Sequence, residues 1–119
     1  MRIVIVADCV PPEQAQAVAP GVVTVSVDGF TDATRYLRSH PADVVITPEA
    51  IGDRQTGSCI DVASVARGRG VACVIVTTVW DDGSLGAACM PPGGDLAAAV
   101  ERAMVARGLV TTTAAGRQE

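Results

Sequence analysis

The sequence predicts an α/β protein, a three-layer sandwich built on a parallel sheet of about five strands. Three observations predict it. Short continuous apolar runs alternate with segments of helical spacing along the chain. Gly and Pro punctuate the joints between them. The apolar fraction is 49% but aromatics are only 3%, so the core must be made of Val, Ala, Ile and Leu. Such a core suits strands buried on both faces. A chain of 119 residues is about one domain long.

The elements follow in order. "RIVIVA" (2–7) reads as a buried strand and "DCVPP" as the loop after it. "EQAQAVA" (13–19) makes a short helix stopped by Pro20-Gly21. "VVTVSV" (22–27) is β-branched and reads as the second strand. In "FTDATRYLRSH" (30–40), Phe30, Ala33, Tyr36 and Leu37 fall at helical spacing, with Thr31 as the expected N-cap. "ADVVIT" (42–47) is the third strand, and Pro48 ends it for want of an N–H. "DVASVAR" (61–67) is helical and stops at Gly68 and Gly70. "VACVIVTT" (71–78) and "GAACM" (86–90) are strands four and five. "DLAAAVERAMVARG" (95–108) is the clearest helix, capped by Asp95 and ended by Gly108. The expected organisation is a single domain over 1–108, of flavodoxin-like (Rossmann-like) type, with a flexible tail over 109–119.

Composition excludes several functions. The net charge is −4 and there is no Lys, all nine basic residues being Arg. A chain without Lys has no P-loop lysine and no Schiff-base lysine. With no basic run, nucleic acid is not an expected partner. No apolar stretch is long enough to span a bilayer, and no cleavage pattern follows "MRIVIV". No membrane is expected, and the expected location is the cytoplasm. The four Cys form no CxxC pair and His40 is the sole His, which argues against zinc. Cys73 and Cys89 lie in strand-like runs and read as small core residues. Cys9 and Cys59 follow strands and are expected to be the accessible thiols, ordinary rather than reactive. His40 reads as a surface residue at a helix end, and Trp80 as a core or edge residue at a strand end. "PPGGDL" reads as a turn followed by an N-cap.

In an open parallel sheet, ligands bind beyond the carboxyl ends of the strands. There the sequence sets Asp8, Asp28, Glu49, Asp53, Asp81 and Asp82. Crowded carboxylates repel unless a cation compensates them, and Mg²⁺ with phosphate is the natural guest. The alternative is that these acids are solvated caps and turns.

"ADVVITPEAIGDRQTG" resembles the signature "DLVITGEGRLDxQT" of type I glycerate kinases. Asp43, Val45, Ile46, Thr47, Glu49, Asp53, Gln55 and Thr56 match it in register. "MRIVIVADC" resembles the family's opening "MRIVIAPDSFKGS" at Asp8, and "VSVDGFTDAT" a shortened "PLADGGEGTVDAL" at Asp28 and Gly29. The resemblance implies phosphorylation of D-glycerate by ATP and Mg²⁺. It implies catalytic roles for Asp8, Asp53, Gln55 and Thr56, cofactor binding by Asp28, Gly29, Thr47 and Glu49, and a metal site of Asp8, Asp28, Glu49 and Asp53. It also implies a small organic acid or nucleotide as ligand. The departures are large. The family's lysine falls at Pro11, its glycines at Pro48 and Ala50, and its arginine at Ile51. The family's inserted second domain has no counterpart. The expectation is a truncated relative with little or no activity of its own, partnered by a homodimer mate or another protein.

The order of elements is also similar to a response-regulator receiver domain, with Asp8 after strand one and Thr78 after strand four. The phosphoacceptor aspartate would then fall at Pro48 and the essential lysine at Met90. That resemblance implies a non-catalytic interaction or regulatory module.

Overall fold

A computed structural model describes residues 1–50, 57–81 and 86–108. Nine elements run β1 (Arg2–Val6), α1 (Pro12–Gln16), β2 (Val23–Val27), α2 (Phe30–Ser39), β3 (Val44–Pro48), α3 (Cys59–Gly68), β4 (Ala72–Val76), β5 (Ala88–Met90) and α4 (Leu96–Ala106) among these residues. The strands form one sheet in the order β2-β1-β3-β4-β5, with every pair parallel. This is the flavodoxin-like order, whose switch point lies between β1 and β3.

Side chains alternate across each strand and so build two cores. On one face, Ile3, Ile5, Val44, Ile46 and Val74 pack with Ala15 of α1 and with Leu96, Ala99, Val100 and Ala103 of α4. On the other, Val4, Val6, Val45, Cys73 and Ile75 pack with Phe30, Ala33 and Leu37 of α2 and Val62, Ala63 and Ala66 of α3. The result is three layers, as expected from the Val-rich runs. Burying each Val or Ile contributes roughly 1.5–3 kcal/mol.

Several boundaries differ from the sequence expectation, each for a local reason. Helix α2 starts at Phe30 with Gly29 in the capping position, so Thr31 is inside the helix and is not its N-cap. Burial of Phe30 in the core draws the first turn forward. Helix α3 starts at Cys59, ahead of the expected Asp61, because Ser58 and Asp61 close a capping box. The Ser58 Oγ accepts from the Asp61 N–H at 3.3 Å and the Asp61 carboxylate accepts from the Ser58 N–H at 3.1 Å. Helix α1 begins at Pro12 and ends at Gln16, short of the expected Ala19. Helix α4 carries its expected Asp95 cap, which accepts from the Ala98 N–H at 3.1 Å.

Strand β3 runs through Pro48, which pairs with Val76. The Glu49 N–H donates to the Val76 carbonyl at 3.1 Å, so backbone alternation turns position 48 toward β1. Pairing of β1 with β3 stops at Ile5–Ile46. Pro48 has no N–H to extend it, and the Val6 carbonyl accepts from the Cys9 N–H at 3.2 Å instead. The proline thus frees the end of β1 to turn away at the switch point.

Candidate functional site

The carboxyl edge of the sheet collects the ends of β1, β3, β4 and β5. At the end of β1, Ala7 and Asp8 both adopt the left-handed backbone, with φ of 53° and 52°. Non-glycine residues there cost about 1–2 kcal/mol each, less for Asp. Three bonds hold the bend. The Ala7 N–H donates to the Val27 carbonyl at 2.8 Å, the Cys9 N–H reaches Val6, and the Cys9 Sγ donates to the Ile46 carbonyl at 3.5 Å. Asp8 projects into solvent beyond this bend.

At the end of β3, Thr47 is fully buried and its hydroxyl donates to the Pro48 carbonyl at 3.1 Å. It turns into the protein, away from any ligand at the edge. Glu49 is half-buried, and its Oε1 accepts from the Thr77 hydroxyl at 2.6 Å. The Thr77 Oγ in turn accepts from the Val79 N–H at 3.0 Å. The carboxylate is therefore tied across β3 and β4. Thr78, which the receiver resemblance points to, is exposed, and Thr77 carries the polar contact instead. Strand β4 is buried on both faces, so burial periodicity gave no phase for choosing between the two threonines.

Asp28 is exposed after β2, and Gly29 has an extended backbone that any residue adopts. Asp53, Gln55, Thr56 and Asp82 lie outside the described residues, as does the expected tail 109–119. Among the described residues no three of His, Cys, Asp and Glu form a group that holds a metal ion. Asp8, Asp28 and Glu49 are thus not brought together in one such group.

A cleft of about 450 Å³ opens beside Thr77, lined by Thr78, Trp80, Asp81, Met90 and Pro91 among others. Trp80 also packs on the core of the α2 and α3 face. The Cys89 Sγ donates to the Asp81 carbonyl at 3.2 Å and steadies the mouth of this cleft.

Of the thiols, Cys59 departs from expectation. Cys59 is 2% exposed, not accessible, because the first turn of α3 points it at the sheet. Burial, and then the nearby Glu49 charge, push its thiol pKa up. Cys9 is half-buried and burial pushes its thiol up to about 12. Cys73 is likewise pushed up to about 12 by burial. These thiols are held neutral, which suits packing and not nucleophilic attack. His40 sits exposed at the end of α2, stacked on Tyr36 at 4.5 Å between ring centroids. The "PPGG" run is a turn, closed by the Gly94 N–H on the Pro91 carbonyl at 2.9 Å.

Comparison with family models matches none of them to this chain, and comparison with curated proteins gives no match.

Proposed function

We propose that this chain is a receiver-like, non-catalytic regulatory module of the cytoplasm. One observation carries the reading. The sheet register sets Pro48, Val76 and Met90 side by side at the carboxyl edge. Pro48 and Met90 are the positions at which the receiver resemblance would require an aspartate and a lysine. The row offers neither a carboxylate to accept a phosphoryl group nor a cation to balance one. Just beyond it, Glu49 and Thr77 bond each other.

The glycerate-kinase-like reading asks more of the chain. Phosphoryl transfer works by positioning and by cations set against developing charge. Thr47 is turned inward and Glu49 is engaged, so two of the four residues expected to bind cofactor are committed elsewhere. The sheet order suits a signalling module equally well. No helix among the described residues is long and apolar enough to cross a membrane.

The test offers the protein both chemistries. It is incubated with acetyl phosphate and Mg²⁺ and its intact mass is read. It is then assayed for coupled ATP consumption with D-glycerate and Mg²⁺. The reading expects no phosphoryl adduct and no turnover. An adduct, or turnover abolished by Asp53→Asn, overturns it.

A further inference from the structure

We propose that the free edge of β2 is a joint between two copies of this chain, paired antiparallel about a two-fold axis through Val25. The bonding parity comes from the β1 ladder. The Val23 N–H donates to the Met1 carbonyl at 2.9 Å and the Ala7 N–H to the Val27 carbonyl at 2.8 Å. Odd positions of β2 therefore face β1, and the N–H and C=O groups of Thr24 and Ser26 point out of the sheet. Among the described residues no backbone group bonds to them.

The strand lacks the charged side chains and the proline that usually protect an edge. From Gln14 to Val27 there is no ionisable residue, and there is no proline inside β2. Val23 is 53% exposed, whereas β3 and β4 are buried almost throughout. The sequence "VTVSV" reads the same in both directions by polarity. A two-fold axis through Val25 sets Val23 opposite Val27 of the second copy, Val25 opposite itself, and Thr24 opposite Ser26. The two Thr24–Ser26 pairs are then the bonded pairs, and they satisfy every outward group of both residues. Valines meet on one face and hydroxyls on the other. The Asp28 carboxylates fall at opposite ends of the joint, so like charges do not meet. A self-complementary edge of this kind selects a second copy of the same chain as its partner. The joined sheet runs continuously through the five strands of each copy. This joint is independent of the function proposed above.

Sedimentation equilibrium of the full chain from micromolar to millimolar concentration tests it, together with amide exchange at Thr24 and Ser26. The mass should rise from the 12.1 kDa monomer toward twice that value, with both amides becoming protected as it does. Ser26→Pro removes an outward N–H and leaves the β1 ladder intact. It should raise the dissociation constant about tenfold or more. Thr24→Lys with Ser26→Lys keeps the amides but sets like charges opposite each other, and should give a folded monomer. Three results overturn the proposal: a monomer throughout the range with unprotected amides, a monomer with those amides protected by another segment, or a dimer unchanged in the folded double-Lys variant.

Discussion

Replacing Thr77 by Val tests whether Glu49 is held across the strand ends. The substitution keeps the shape of the side chain, so it opens no cavity. It removes one hydroxyl that donates to the Glu49 carboxylate at 2.6 Å and accepts from the Val79 N–H at 3.0 Å. A hydrogen bond to a charged group contributes about 1.5–3 kcal/mol. Glu49 is only half-buried, so water takes up part of that loss. Val79 is 68% exposed and its N–H finds water at little cost. The added methyl at a position 5% exposed returns less than about 0.8 kcal/mol. The expected net loss is about 1–2 kcal/mol. For a domain of this size, each kcal/mol lowers Tm by about 4 °C. Urea denaturation of Thr77→Val, Glu49→Ala and the double variant closes a thermodynamic cycle. The pair should show a coupling of about 1 kcal/mol. Coupling within about 0.3 kcal/mol of zero would show that Thr77 does not hold Glu49 and leaves it free for another guest.

Three further outcomes follow from the geometry. Ser58→Ala breaks the capping box of α3 and should cost about 1 kcal/mol in denaturant unfolding, whereas an unchanged midpoint means that water caps the helix as well. Gly86→Ala places a Cβ 3.1 Å from Arg107 Nη1 at a φ of +72°. The Arg107 guanidinium is pinned by its Nε donating to the Val71 carbonyl at 3.0 Å, so the substitution should cost about 1–2 kcal/mol, read as a fall in Tm. The raised Cys9 and Cys73 pKa values make folding favour the neutral thiol. That contribution is fully present below the ordinary thiol value near 9. It is lost as pH rises from there toward about 12, since the unfolded chain ionises first. Stability should therefore decline over that window, and a Cys9→Ser, Cys73→Ser variant should show a shallower decline in pH-dependent urea unfolding.

The layers were legible because the strands are buried on both faces. Runs such as "VVIT" and "VACVIV" have no polar alternation, and only a doubly covered parallel sheet accommodates them. The caps were legible in part. Asp95 stands directly before a clean helical pattern. Ser58 and Asp61 also have capping-box spacing, but the polar sequence before them hides the start of α3. The site was less legible. Glu49 reads as an acid at a strand end, and it stands at the end of β3. Its partner Thr77 follows only from the register of β3 on β4, which the sequence does not display. Cys59 is expected to be accessible because it comes after a strand, but the first turn of α3 points it inward. Pro48 is expected to end β3, but the strand runs through it; the missing N–H acts instead on β1, a strand far away in sequence.

The proposed reading holds that Glu49 is engaged by Thr77 and that the strand ends bind no Mg²⁺ for phosphoryl transfer. Thermal unfolding of the full chain during a titration with Mg²⁺ alone tests it most directly, because a ligand that binds only the folded state raises the midpoint by mass action. The midpoint should not move through millimolar Mg²⁺. A saturable rise that disappears in Asp8→Asn and in Glu49→Gln would contradict it.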